Sequence, residues 1–364
     1  MARNRLYKDI LQCLKKHAPT ALSGHSLRRV QTLSSMVYAI ISSKKSGIYA
    51  ISSKLQGKDK QSESRVKQAK RWLDSKWTDF QTHFACYTVP ILKSLASGGE
   101  LVISIDGSEV GRNCICLMLS AYYRKRAIPI AWVVRQGKKG HFPEQMHIDL
   151  VESASVLIPD GCRVVFLGDG EFSGSKLVEV VQRLGWQFAL RTKLNRHVDF
   201  GAEKAPIGQA CVPKGEKSLF IPNALPYSNA VLWHEKRFDK PIPLLTNMDI
   251  GWMACLYYKK RFSIETMFSD IKSRGFNLHK AQMNNPQRVE KLIIAVALAY
   301  LMVFLWGLAE IRKKFVNKVY RQDRKDKHSP FNLGLKQAQY CLENHYSMFS
   351  LISKNLNLFF CVRS

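Results

Sequence analysis

Leu101-Val-Ile-Ser-Ile-Asp-Gly107 is a short apolar run, rich in β-branched residues, that ends on a carboxylate and a glycine. Such a run reads as a buried strand. Cys114-Ile-Cys-Leu-Met-Leu-Ser120 and Ala127-Ile-Pro-Ile-Ala-Trp-Val-Val134 follow after short turns, so three adjoining strands are expected. Pro129 cannot donate to a ladder, which places the third at an edge or a bulge. Residues 143–157 then read as a helix, Arg163-Val-Val-Phe-Leu-Gly168 as a fourth, near-continuous apolar strand, 173–184 as another helix, and Trp186-Gln-Phe-Ala-Leu-Arg191 as a fifth strand. Three adjoining strands followed by alternating helix and strand make an α/β domain.

Outward from this stretch the texture changes on both sides. Ser97-Gly-Gly-Glu100 marks a linker, and residues 1–100 before it are helical in character and basic, with 18 Lys/Arg against 6 Asp/Glu. Within them Gly47–Leu55 reads as a short helix. A second helix runs through Arg65–Leu73, with Ser62 or Ser64 as its cap and Val66, Ala69 and Leu73 on one face. The pair reads equally as a helix-turn-helix unit whose second helix enters a DNA groove and as a helical bundle with a solvated basic rim. After the fifth strand, residues 195–250 carry Gly, Pro and Asn punctuation and strand-like pieces at Leu219–Ile221, Ala230–Trp233 and Ile242–Thr246, an inserted β-rich region. Helical texture returns at Asp249 and persists, through a basic run from Lys313 to Lys327. The division expected is a helical basic domain at 1–98, an α/β domain at 99–310 with the insertion inside it, and a helical C-terminal region at 311–364.

Composition narrows the partners. Lys and Arg outnumber acids 56 to 28, a formal charge of +28. So large an excess suits phosphate backbones first and acidic membranes second. The nine cysteines form no CxxC pair, which argues against a zinc finger and suits a reducing compartment. The N-terminal residues lack the apolar run of a signal peptide, and a cytoplasmic location is expected. Leu292 to Ala309 is free of charge and touches the lower limit of membrane-spanning length. Its flanks are basic on both sides, and a helix buried beneath a sheet is the favoured reading.

Asp106 ends the first strand before Gly107, and Asp169 ends the fourth between Gly168 and Gly170. Strand-end carboxylates of an α/β sheet face the crevice where ligands bind, and glycine lets another group approach the backbone closely. Asp-Gly is also a common turn dipeptide, so either aspartate alone says little. The informative segment is Leu256-Tyr-Tyr-Lys-Lys-Arg-Phe-Ser-Ile-Glu-Thr-Met-Phe-Ser-Asp-Ile-Lys272. On one helix, Tyr258, Arg261, Glu265 and Lys272 fall within an arc of roughly 60°. Ile264, Met267 and Ile271 take the opposite side. The bland account is an amphipathic helix with an ordinary Arg–Glu pair.

Tyr258-x2-Arg261-x3-Glu265-x6-Lys272 resembles the YREK signature of a large group of bacterial insertion-sequence transposases of the DDE class, whose catalytic domain has a ribonuclease H-like mixed sheet flanked by helices. Ile105-Asp106-Gly107 resembles that family's first-acid strand, Leu167–Phe172 its second, and Leu244-Leu-Thr-Asn247 the strand before the signature helix. The resemblance covers about residues 100–310; the first 100 match only in general character, and it implies that the helical basic domain at 1–98 is the family's usual DNA-end-binding region. It implies that Asp106, Asp169 and Glu265 are the catalytic triad and hold two Mg²⁺ ions, with Mn²⁺ able to substitute. It implies that Tyr258, Arg261 and Lys272 contact DNA phosphates, joined by Arg191 and Lys193 where the fifth strand ends. Terminal inverted repeats and target DNA are the implied partners of a homodimer in a synaptic complex, with cleavage at the element's ends and strand transfer as the reaction. Some relatives carry a tryptophan two residues before the Leu-Leu-Thr strand that stacks on a flipped base; here that position is Ile242, and Trp233 is the other candidate. Glu109 and Glu171 are nearby acids that could be mistaken for the triad. Rival readings are a nuclease of the same fold that does not join strands, a non-catalytic DNA-binding relative, and a membrane protein spanning at Leu292–Ala309.

Overall fold

A computed structural model describes residues 5–18, 21–56, 61–137, 142–215, 218–313 and 328–347. Among the described residues, the α-helices α1 (Arg5–Lys16), α2 (Gly24–Ser43), α3 (Ile48–Lys54), α4 (Ser62–Asp74) and α5 (Cys86–Ala96) come first. Gln61, not Ser62 or Ser64, stands at the α4 N-cap, and its side chain makes no capping bond. The segment read as a linker is a tight turn between α5 and the first strand, with Gly99 at φ +82°.

The strands β1 (Glu100–Val110), β2 (Cys114–Tyr123) and β3 (Arg126–Gln136) form an antiparallel meander. After α6 (Glu144–Ser155), β4 (Arg163–Gly168) pairs parallel with β1; after α7 (Ser175–Arg183), β5 (Gln187–Arg191) pairs parallel with β4. This is the mixed sheet of the ribonuclease H-like reading. Pro129 lies where the expectation put it: β3 is the edge strand, and the β2–β3 register slips between Leu119 and Ser120, opposite the proline.

The β-rich insertion is more than an appendage. It opens with a small ribbon of β6 (His197–Asp199) and β7 (Lys204–Pro206). Then β8 (Ser218–Leu225), β9 (Ser228–Trp233) and β10 (Ile242–Thr246) add to the main sheet, antiparallel through β10 to β5, giving the order β3-β2-β1-β4-β5-β10-β9-β8. The segment read as one helix is two in tandem, α8 (Gly251–Lys260) and α9 (Phe262–Ile271), with Arg261 at the joint in helical conformation.

Alternation along the strands sorts the two faces of the sheet. Leu101, Ile103 and Ile105 face one way and join a core with Ile148 and Val151 of α6 and Leu177 and Val181 of α7. Val102 of β1 and Val165 and Leu167 of β4 face the other way, onto Ala254, Cys255 and Tyr258 of α8.

The charge-free stretch belongs to α10 (Pro286–Lys313). Leu292 to Leu308 are all buried, as the core-helix reading expects. The helix passes under β3 and β2 and also meets α2, α4, α9 and α11 (Pro330–Glu343). A single hydrophobic cluster therefore joins the N-terminal helices, the β2–β3 face, α9, α10 and α11. Residues 314–327, which hold most of the expected basic run, and 348–364 of the C-terminal region lie outside the described residues.

Candidate active site

The same alternation that packs the sheet places the acids. Counting by twos from Val102 through Ser104 reaches Asp106, and from Val165 through Leu167 reaches Asp169, so both point to the face covered by α8 and α9. The last β1–β4 register pair is Ser104 with Leu167; two residues on, Asp106 and Asp169 stand side by side. The flanking glycines have a packing role. A side chain at Gly107 would run into the Phe142 ring at 2.7 Å, and one at Gly168 into Phe172 at 2.7 Å. Phe142, at the entry to α6, thus lies over the backbone beside Asp106.

A cleft of about 350 Å³ opens at these strand ends. It is lined by Asp106, Gly107, Ser108, Glu109, Ile115, Phe142, Asp169, Glu171 and Lys272. Each acid is held. The Gly107 amide donates to Asp106 (2.8 Å), and the Glu171 amide donates to Asp169 (3.0 Å), which caps a short 3-10 turn. Lys272, just past α9, donates to Ser108 (3.1 Å) and so ties the end of α9 to β1. Arg261 links the third acid to the first: its guanidinium donates to Glu265 (2.6 Å) and lies 3.9 Å from Asp106.

The electrostatics follow from burial. Asp106 is pushed up to about 7, mainly by removal from water, with repulsion from Asp169 and Glu265 adding to it while Arg261 and the Gly107 amide oppose it. Arg261 is only 5% exposed. Burial works against its charge, but Tyr258, Glu265 and Asp106 together hold it protonated.

The cleft contains Asp106, Asp169 and Lys272 of the residues expected from sequence, with Glu265 joined to it through Arg261. Two residues expected to contact DNA are turned inward. Tyr258 is 1% exposed and its hydroxyl is enclosed, because the ring packs into the core beneath the sheet and against Arg261. Arg261 is turned inward to the carboxylates. In this arrangement neither offers its polar atoms to a phosphate. Arg191 is exposed at the end of β5, and Lys193 lines an adjoining groove with Arg196 and His197. Trp233 is 2% exposed, with Lys259 over its ring at 5.1 Å, and is unavailable for stacking. Its burial comes from the insertion joining the main sheet.

Glu171, outside the triad that the resemblance implies, and Ser108, Phe142 and His147, to which it assigns no role, also belong to the site. Glu171 lines both the cleft and the adjoining groove. It accepts from the Phe142 amide (2.5 Å) and lies 3.6 Å from buried His147. Only Ser108 carried a signal, as the residue two after Asp106. Hard carboxylate oxygens on Asp106 and Asp169, brought together at the strand ends, form a donor set suited to a hard divalent cation. Among the described residues, though, no three His, Cys, Asp or Glu side chains are gathered closely enough to hold a metal ion; Glu265 is turned to Arg261 instead.

No curated protein matches this chain. Solved structures similar to it include a piggyBac transposase synaptic complex with hairpin DNA, at 12% identity over 98% of this chain and 80% of that one, with a TM-score of 0.44. Another is the catalytic domain of human endonuclease V, at 14% identity over 64% of this chain and 95% of that one, with a TM-score of 0.26. The family model described as the transposase DDE domain matches residues 103–302. That span begins within β1, ends within α10 and takes in more than half of the sequence, and with it this protein belongs to the transposase DDE-domain family.

Proposed function

We propose that this transposase cuts DNA at the ends of a mobile element and joins the freed 3′-hydroxyl to target DNA, with Asp106, Asp169 and Glu265 as its acids. The observation that carries the reading is the meeting of Asp106 and Asp169 on one face of adjoining parallel strands, with Arg261 connecting Asp106 to Glu265 on α9. Mg²⁺, or Mn²⁺ in its place, would be held by these acids and would supply activation of the attacking oxygen and charge stabilisation of the leaving one. The chain's own groups do the rest. Lys272, at the cleft beside Ser108, offers a positive charge to the scissile phosphate. Arg261 offsets the crowded carboxylates from within. Phe142 over Gly107 forms an apolar wall that limits water beside Asp106. Lys193 and exposed Arg191 would hold phosphates of the strand leaving the cleft. Duplex DNA carrying inverted repeats is the substrate of this reading, and a homodimer would bring two ends together.

Asp106→Asn removes the charge with little change of shape. Cleavage of DNA bearing the element's ends should fall by on the order of a thousandfold, the equivalent of several kcal/mol of lost charge stabilisation, while DNA binding persists. A variant that still cuts at the wild-type rate removes the triad. Cleavage without joining on paired ends would favour the nuclease reading.

A further inference from the structure

Away from the active site, α2 and α4 wall a groove of about 730 Å³. Arg28 and Arg29 line it from α2, and Lys67 and Arg71 from α4. The spacing is helical on both walls: Arg28 precedes Thr32 by four, and Lys67 precedes Arg71 by four, so each helix turns one continuous polar face inward. The floor is built. Trp72 donates from its indole to the Arg29 carbonyl (3.2 Å), and Gln68 donates to Thr32 (3.3 Å), both bonds crossing between the helices. Trp77 stands at the rim, 62% exposed, with the Lys76 ammonium 5.3 Å from its ring centre.

Among the described residues, none that lines the groove is acidic. Among the described residues, none of the four cations forms an ion pair with a carboxylate; Asp74, at the end of α4, is taken by Arg288 (2.5 and 2.8 Å). Four positive charges concentrated without counter-charges, beside an exposed aromatic ring, suit a linear polyanion with flat groups along it. The groove is too small for a duplex to enter. It also changes the reading of α4. The helix-turn-helix expectation lays that helix in a DNA groove, but its Lys67–Arg71 face looks across at Arg28 and Arg29 of α2.

We propose that the α2–α4 groove seats one sugar–phosphate strand of DNA, its phosphates on Arg28, Arg29, Lys67 and Arg71 and a sugar or base against Trp77. The site takes hold of the backbone and does not read bases. The inference rests on DNA being the substrate, but its test is separate from catalysis.

The test is binding of fluorescent duplexes to the full-length protein, without divalent ions, over a range of salt concentrations. One duplex carries the element's end and one an unrelated sequence. Each phosphate contact contributes about 0.9 to the slope of log K against log salt. Arg28→Gln with Arg71→Gln should therefore flatten the slope by about two, equally for both duplexes. Lys67→Gln alone, the milder change should the pair fold poorly, should flatten it by about one. Arg65→Gln with Lys70→Gln, off the groove, should leave it unchanged, and quenching of indole fluorescence on binding should shrink in Trp77→Phe. An unchanged slope in both groove variants overturns the proposal. So does a loss confined to the end sequence, or one produced only by the Arg65 and Lys70 pair, which would restore α4 as a recognition helix. Asp106→Asn should bind with the wild-type slope, so failure of the triad and failure of the groove are told apart.

Discussion

Asp270 shows what one buried charge does to this chain. It is 2% exposed on α9, with Arg126 at 3.7 Å, and Arg274 and Tyr300 also face it. Burial pushes its carboxyl up to about 6 from an ordinary 3.8, against the pull of Arg126 and Arg274. Between those two values the folded chain holds a proton that the unfolded chain releases. Its contribution to stability is therefore present below about 4 and lost as the pH rises through about 6. Urea unfolding across that range should show stability falling with pH, and Asp270→Asn should flatten the fall. An identical pH profile in the variant would mean that Asp270 ionises as it does in water. Residues of this kind were hard to read from sequence. The polar stripe of Tyr258, Arg261, Glu265 and Lys272 was visible as a spacing, but spacing does not say which members face water. The sheet buries Tyr258, the carboxylates draw Arg261 inward, and Lys272 and half-exposed Glu265 remain near the cleft.

At the scale of elements, α10 and α11 cross so closely that only glycine fits at the contact. A methyl group on Gly307 would overlap the Pro330 carbonyl, and one on Gly334 the Val303 carbonyl. Backbone cannot yield as a side chain does. Gly334→Ala should cost about 2 kcal/mol, overpacking of about 3 kcal/mol less the roughly 1 kcal/mol that alanine gains in helix propensity. Thermal unfolding checks this; a raised melting temperature would mean that the helices part without penalty. The five strands and two helices of the central domain were legible because apolar runs and turn residues report local structure directly, and β4 has the bounds its sequence gave. The destination of β8–β10 was not legible, since pairing partners depend on which edge of the sheet is open. The free edge of β5 took them.

For the whole molecule, the shared core is the deciding feature. Leu298 of α10 is fully buried in the cluster that also holds residues of α2 and β2. Leu298→Ala should cost about 2–5 kcal/mol. Hydrogen exchange should show slow amides of α2 and of β2 losing protection by the same amount. Loss confined to one of them would divide the chain into independent folding units. The net charge of +28 favours a polyanion partner from composition alone, whereas the place where four of those cations gather requires two helices to be set side by side.

The α10 floor has a geometric consequence. Because one helix underlies both the α2–α4 bundle and the meander that carries Asp106, packing sets the interval between groove and cleft. For a DNA strand reaching from the proposed grip to the proposed active site, the molecule would act as a caliper. The number of nucleotides between the two would then be written into helix packing, and a flexible insertion after Ser97 would have to break that packing before it could blur the measure.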